Sequence, residues 1–249
     1  MNETDAIKRD LLITLDVLRV SESPALIEDI VHFFINTTET AQVENNLIVS
    51  KLKELETDQK IFVSEDGFIS FFNDIDGQVQ KRLKTEESTR QKIKYAEKIL
   101  NGLSKFDFIR FVGVMGDAPF GRIDTNVKIK LIIIADKETQ HLASVVVKNY
   151  LRFKFALKKF EISTILESDN LRWPQNNPAS GIMLLNLQPI LNKDKTYENL
   201  MASNSWIFEI FSNYPLEKIS WGFRVSKNDN RKVSEFNKRL NKFFSPKQS

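Results

Sequence analysis

Two lysines in one β-rich run are the residues of this chain whose types and spacing best suit chemistry on a phosphate. Lys128 and Lys130 lie in the run from Val127 to Ile134, which alternates at first and then becomes fully apolar. This pattern is typical of a strand that enters a covered sheet. Residues two positions apart on a strand share a face, so both ammonium groups are predicted on one side, where they can attract an anion.

The composition excludes several other chemistries. The 249 residues include no cysteine, which rules out disulfides, thiol nucleophiles and thiolate metal sites. The two histidines, His32 and His141, are far apart, and a histidine-based zinc site needs two or three ligands. Neither the Walker nor the Rossmann glycine spacing occurs, and no histidine is paired with a serine as in a catalytic triad. We therefore expect no cofactor and no bound metal.

The charge is distributed unevenly along the chain. Residues 1–80 contain 6 basic and 16 acidic residues and carry a net charge of −10, whereas residues 81–249 carry +13. Opposite signs predict two domains with different surfaces, and only the basic half attracts phosphates. No apolar run approaches about 18 residues and the first ten residues lack the basic patch of a signal peptide, so we expect a cytoplasmic protein without a membrane partner.

The acidic front half has the pattern of a winged helix. Apolar spacing predicts helices at residues 5–18, from Ser23-Pro24 to Phe34, and from a cap at Thr38 to Leu55. Strands at 60–63 and 68–72, joined by a turn at 65–67, predict a hairpin. The third helix has few cations in a half of net charge −10, which disfavours DNA phosphates. We expect this module to pack or to bind a partner, and DNA binding is the less favoured alternative.

The basic half alternates between strand and helix patterns. A long polar helix at 78–104 is predicted to connect it to the front half, and strands are predicted at 108–114, 127–134 and 160–166. A basic amphipathic helix is predicted around 138–159, further helix at 197–211, and a basic helical tail at 230–244. Basic residues near the end of the helix around 138–159 are interleaved with Tyr150, Phe153 and Phe155; they are Lys148, Arg152, Lys154, Lys158 and Lys159. That mixture can bind RNA or an acidic partner, or it can be an ordinary solvated face.

The order and spacing of weak motifs from Phe108 onward resemble the nucleotidyltransferase superfamily, which has the fold of DNA polymerase β. The similarity is closest to a bacterial family in which a winged helix precedes the transferase core, and it covers roughly residues 5–216. The first strand, Gly116, Gly121 and the strand at 131–133 match the family's strand, glycine loop and second strand. Further matches are Asn204 with Trp206, where the family tends to have Asn-x-Trp, and Tyr214-Pro215.

The departures from the family pattern fall on its chemistry. In the family a serine follows the first glycine, and two aspartates on the next strand hold two Mg²⁺ ions. Here the serine position is Asp117, and both aspartate positions are lysines, Lys128 and Lys130. The resemblance thus implies a degenerate cleft that binds a nucleotide or phosphate without a metal. Its residues are Gly116, Asp117, Gly121, Arg122, Lys128 and Lys130.

Three interpretations of the two lysines stay open. The lysines are merely tolerated in a defunct pocket, or they replace the metal ions and bind phosphate without turnover. Alternatively, Asp117 and Asp124 form a relocated metal site and activity survives. Glu161, near the start of the third strand, is a single remaining acid, and one carboxylate does not rebuild the family's site. The simpler expectation is that Asp117 caps a short helix and Asp124 lies in a turn.

We predict an α/β (α+β) fold with a winged helix at 1–76, a connector helix at 77–104 and a nucleotidyltransferase-like mixed sheet flanked by helices at 105–216. A basic helical tail follows at 217–249. The predicted function is that of a pseudoenzyme with no catalytic residues, which binds a protein partner, or a nucleotide or RNA through its basic half. A divergent but active nucleotidyltransferase is the first alternative, and a DNA-binding regulator is the second.

Overall fold

The structure is a computed structural model that describes residues 3–20, 22–37, 42–116 and 128–215. The chain is of mixed α/β class, as predicted. It divides into two compact units, each described separately below. The first takes in residues 1–87, 176–182 and 206–215, and the second takes in residues 88–175 and 183–205 of the described chain. No described helix is long and apolar enough to cross a membrane.

The first unit is built from helices and a small three-stranded sheet. Its elements in chain order are α1 (Glu3–Val17), β1 (Ala25–Leu26), α2 (Ile27–His32), α3 (Asn45–Thr57), β2 (Phe62–Val63) and β3 (Phe68–Ser70). The strands pair antiparallel in the order β1-β3-β2. Gly67 has a φ of +77° in the turn between β2 and β3, which favours glycine because it lacks a Cβ. The predicted helices and hairpin are thus present in the predicted order.

Two predicted helix starts in this unit are wrong. The second helix does not open at Ser23-Pro24, because Ala25 and Leu26 form β1 and pair with Ile69 and Phe68 of β3. Helix α2 therefore begins at Ile27. The third helix begins at Asn45 after Glu44 instead of following a cap at Thr38, which lies outside the described residues.

Helix α4 (Ile75–Leu100) is the long polar helix that the sequence predicts. Its first half belongs to the first unit, where the side chain of Arg82 is buried. The guanidinium donates hydrogen bonds to the Pro24 carbonyl oxygen at 2.6 Å, to Asp29 Oδ2 at 3.2 Å and to Glu86 Oε1 at 2.7 Å. It also lies 4.9 Å from the centroid of the Phe68 ring. Through these contacts Arg82 holds α4 against α2 and β3.

The second unit contains a four-stranded mixed sheet with helices. Its elements are the end of α4, β4 (Ile109–Met115), β5 (Ile129–Ala135), α5 (Gln140–Phe153), β6 (Phe160–Glu167), β7 (Gln188–Asn192) and α7 (Thr196–Ser203). The strand order is β6-β5-β4-β7, in which β5 is antiparallel to β4 and parallel to β6. Among the described strands, β6 and β7 are the edges of this sheet.

One face of this sheet forms the core with α5. Every second residue of β5, from Ile129 to Ala135, packs into a buried cluster with Ala143, Val147 and Leu151 of α5. The α5 residues recur at intervals of four and so share one helix face. The alternate residues of β5, including Lys130, lie on the opposite face of the sheet. Lys130 is therefore on the sheet face opposite α5, whereas Lys128 precedes the strand.

The three predicted core strands are confirmed within one or two residues, but two later elements were missed. The stretch after Trp173-Pro174, predicted to be looser, contains α6 (Pro178–Leu185) and β7. The helix predicted at 197–211 is divided into α7 and α8 (Trp206–Ile210). The predicted C-terminal helix and the tail at 217–249 lie outside the described residues.

Candidate binding site

The two lysines lie where β5 begins. Lys128 immediately precedes the strand and is exposed, and Lys130 is half-buried on the sheet face opposite α5. Lys128 makes no hydrogen bond or ion pair with any residue that the structure describes. An exposed ammonium group with no partner among the described residues can bind an anionic ligand without breaking a contact within that part of the chain.

Lys130 is flanked by one apolar and one acidic residue. It pairs in register with Met115 of β4 and with Glu161 of β6. Neighbouring strands lie about 4.8 Å apart, so the Glu161 carboxylate belongs to the same local site. Gly116 follows Met115 directly and is therefore at the same end of the sheet. The strand pairing thus brings together Gly116, Lys130 and Glu161 from three segments that are distant in sequence.

A cavity of about 400 Å³ adjoins this end of the sheet, lined by α5, β6 and the start of β5. Its charged lining residues are Lys128, Lys148 and Glu161, and Ser144, Ser163 and Thr164 are among its polar lining residues. Two cations against one anion, with hydroxyl donors beside them, suit an anionic ligand with hydrogen-bond acceptors. The volume lies within the range of small-molecule sites.

The structure places three of the six predicted site residues. Gly116, Lys128 and Lys130 lie at the end of the second unit's sheet where β5 begins. Asp117, Gly121 and Arg122, and also Asp124, lie outside the described residues. The described residues contain no group of three or more His, Cys, Asp or Glu that can hold a metal ion.

Lys148 belongs to the basic helix that the sequence predicts, and in the structure it lines the cavity together with Lys128. Ser144, Lys148 and Leu151 recur at helical spacing and all line the cavity. This periodicity can be read from the sequence. The sequence does not indicate that this helix face borders β6. Ser163 and Thr164 were missed because nothing in a single short strand indicates which of its residues border a cavity.

An arginine that binds two carboxylates lies at the other end of the sheet. Arg110 donates two hydrogen bonds to the Asp136 carboxylate, one of them 2.9 Å long, and a third to Asp194 at 2.7 Å. These bonds, together with the positive charge of Arg110, hold the pKa of Asp136 below its usual range. Asp136 follows β5, so this cluster fastens the end of the strand opposite to Lys130.

Asn204, one of the residues that carry the family resemblance, has a structural role. Its buried amide accepts a hydrogen bond from the Trp173 amide at 2.7 Å and donates to the carbonyl oxygens of Leu171 and Leu200, both at 2.8 Å. A side chain that satisfies three backbone groups fixes the loop at 171–173 against α7. Asn204 therefore supports the fold of the second unit.

The helix that a winged-helix DNA reader would use has few available cations. In α3 the ammonium group of Lys51 is mostly buried and forms an ion pair with Glu54, which also binds Lys8 at 2.8 Å. Lys53 is the other cation of α3 and is exposed. DNA binding depends on several phosphate contacts, so α3 is poorly suited to it.

Comparison with models of protein families, with curated proteins and with solved structures gave no significant match.

Proposed function

We propose that the protein is a catalytically inactive nucleotidyltransferase-like protein that acts by binding a phosphate-bearing ligand, such as a nucleotide, at the start of β5. The observation that carries the proposal is the pair Lys128 and Lys130, which stand where the resembled family has two metal-binding aspartates. Two ammonium groups repel a divalent cation, and a like-charge pair at about 4 Å costs about 4 kcal/mol at an effective dielectric constant near 20. The same two groups attract a phosphate directly.

The local geometry supports this proposal. Antiparallel pairing with β4 and parallel pairing with β6 put Gly116, Lys130 and Glu161 at the end of the sheet where β5 begins. Lys128 and Lys148 line the cavity at the same end of the sheet on the side of α5, whereas Lys130 lies on the opposite face. Glu161 is a single carboxylate beside these cations, and one carboxylate does not supply the oxygen ligands that two Mg²⁺ ions require.

Equilibrium binding of the four nucleoside triphosphates tests the proposal, measured by calorimetry in buffer with Mg²⁺ and in buffer with EDTA. The proposal predicts binding in both buffers. The double variant Lys128→Ala with Lys130→Ala is expected to lose it, because both cations are removed. The control is Lys81→Ala with Lys84→Ala, which removes two exposed lysines of α4 and is expected to bind like the natural chain.

Other results of this experiment would favour the alternatives. Binding that requires Mg²⁺, followed by turnover that Asp117→Ala abolishes, would indicate an active nucleotidyltransferase. An absence of binding in both buffers would contradict the proposal and leave a protein partner as the predicted ligand.

A further inference from the structure

Five cations lie in the second half of α5 and just after it. Residues 139–160 contain no Asp or Glu. None of the five cations of this segment makes an ion pair with a residue that the structure describes; they are Lys148, Arg152, Lys154, Lys158 and Lys159. Lys154 and Lys159 lie instead near the rings of Tyr150 and Tyr95, at 5.8 and 4.6 Å from the ring centroids. The positive charge of this surface is therefore available to an external polyanion.

Two phenylalanines project from the same surface. Phe153 is 78% exposed and Phe155 is 96% exposed, whereas the large apolar side chains of a folded domain are normally buried. An almost fully exposed ring has both of its faces accessible. Large exposed apolar side chains, when clustered, mark binding surfaces. We call Arg152, Phe153, Lys154, Phe155 and Lys158 the aromatic-basic surface.

The backbone holds Phe155 in an unusual conformation. It has a φ of 52°, in the left-handed region that favours glycine or asparagine. The Phe155 amide donates to the Arg152 carbonyl oxygen at 3.0 Å, and the Ala156 amide donates to the Leu151 carbonyl oxygen at 2.8 Å. This pair of bonds is the Schellman motif, in which glycine normally occupies the position of Phe155. Because the Phe155 ring is exposed, its burial does not offset the cost of the left-handed backbone. We therefore infer that the ring serves binding and not the stability of the fold.

The surface adjoins the cavity between α5 and β6. Lys148 lines that cavity together with Leu157, the residue before Lys158. Ser144, Ser163 and Thr164 are also among the residues that line the cavity. Cations thus lie both at the cavity and beside the exposed rings, where they can bind phosphates while a base stacks on a ring.

We propose that the aromatic-basic surface binds single-stranded RNA. Four of the five cations are lysines, which are depleted in protein–protein interfaces, so an acidic protein is a poorer fit. An anionic bilayer would engage the rings and lysines but would leave the concave, hydroxyl-lined cavity unused. The proposal rests on the proposed function only in that the chain acts by binding, since it needs neither Lys130 nor a bound nucleotide.

Fluorescence anisotropy with labelled oligouridine of about 20 nucleotides tests this proposal. The first variant combines Phe153→Ala with Phe155→Asn, in which asparagine tolerates the left-handed backbone. Loss of two stacking rings is expected to weaken binding at least about tenfold. The control is Phe72→Ala, which removes a half-exposed phenylalanine of the first unit and is expected to leave RNA binding unchanged.

The charge contribution is measured through the salt dependence of the same binding. Arg152→Gln, Lys154→Gln and Lys158→Gln together are expected to reduce the slope of log Kd against log salt by about 2, because each phosphate contact to a single strand contributes about 0.7. The control Lys81→Gln with Lys84→Gln is expected to keep the slope. Triphosphate binding of the phenylalanine variant is expected to be normal, which separates this proposal from the preceding one.

Five outcomes would overturn the proposal. These are undetectable RNA binding, RNA binding that is insensitive to removal of the rings, tighter binding of DNA than of RNA of matched sequence, and ring-dependent binding of anionic lipid vesicles in preference to RNA. Tighter binding of duplex than of single-stranded RNA would equally contradict it, because paired bases cannot stack on the rings.

Discussion

The cations of this chain fall into two contrasting groups. Arg82 and Arg110 each bind two carboxylates, and Arg82 also binds a backbone carbonyl group. Lys128 and the five cations of the α5 surface make no ion pair with any described residue. The first group joins secondary-structure elements. In the second group, Lys128 and Lys148 line the cavity of the second unit, and the others lie at the end of α5 or just after it.

This difference separates charges that serve stability from charges that serve binding. A buried cation must be matched within the fold, because an unpaired buried charge is very costly. An exposed cation needs no such match, and grouping several of them raises the local potential that attracts an anion. Removing a member of the first group should therefore reduce stability, and removing a member of the second should reduce binding alone.

The largest expected effect is that of Arg82→Met. This substitution leaves Asp29 and Glu86 without their cation and the Pro24 carbonyl oxygen without its donor, so we expect a loss of about 2–4 kcal/mol in the free energy of unfolding. Urea titration followed by circular dichroism measures it. The control is Lys81→Met, which changes an exposed neighbour and is expected to cost less than about 0.5 kcal/mol. Equal midpoints for the two variants would contradict the structural role of Arg82.

A smaller loss is expected for Arg110→Met. Arg110 is about one third exposed, so solvent weakens its bonds to Asp136 and Asp194, and the expected cost is about 1 kcal/mol. The same urea titration measures it. Triphosphate binding should be unaffected, because Arg110 lies at the end of the sheet opposite to Lys130. A loss of binding together with unchanged stability would contradict the assignment of Arg110 to the stabilising group.

The ion pair of Asp136 also makes stability depend on pH. Its pKa in the folded state is lowered from 3.8 by Arg110, so the ion pair stabilises the fold above that pH and is lost as the pH falls through the folded-state pKa. Thermal unfolding midpoints between pH 7 and pH 3 should decrease less for Asp136→Asn than for the natural chain. Identical decreases would show that this pair does not contribute to acid sensitivity.

The smallest expected effect on stability is that of Arg152→Gln combined with Lys158→Gln. Neither cation has a carboxylate partner among the described residues, so the free energy of unfolding should change by less than about 0.5 kcal/mol. A substantial destabilisation in the urea titration would show that these cations belong to the first group.

The elements that have strong periodicity could be predicted from the sequence. The strands β4, β5 and β6 are apolar or alternating runs between turn residues, and α4 is a long polar helix, so all four are where the pattern predicts them. Strand β1 could not be predicted, because its two residues have no local strand pattern and are extended through pairing with Ile69 and Phe68. Strand β7 likewise depends on pairing with β4, which lies more than 70 residues earlier in the chain.

The candidate site could be predicted in part. Lys128 and Lys130 were proposed because they stand at the two aspartate positions of the resembled family, a comparison that needs only local sequence. Their neighbours Glu161 and Lys148 come together through strand register and helix packing, which depend on distant residues. The exposure of Phe153 and Phe155 could not be predicted, because aromatic residues at helical spacing are more often buried in a core.

Charge reversal of the two lysines tests the central claim most directly. The dissociation constant of a nucleoside triphosphate would be measured in Mg²⁺ and in EDTA, for the natural chain and for Lys128→Asp combined with Lys130→Asp. If Lys128 and Lys130 bind the phosphates, the natural chain binds equally well in both buffers. The variant then loses binding in EDTA, because its carboxylates repel the phosphates. Binding by the natural chain only in Mg²⁺, or unchanged binding by the variant in EDTA, would contradict it.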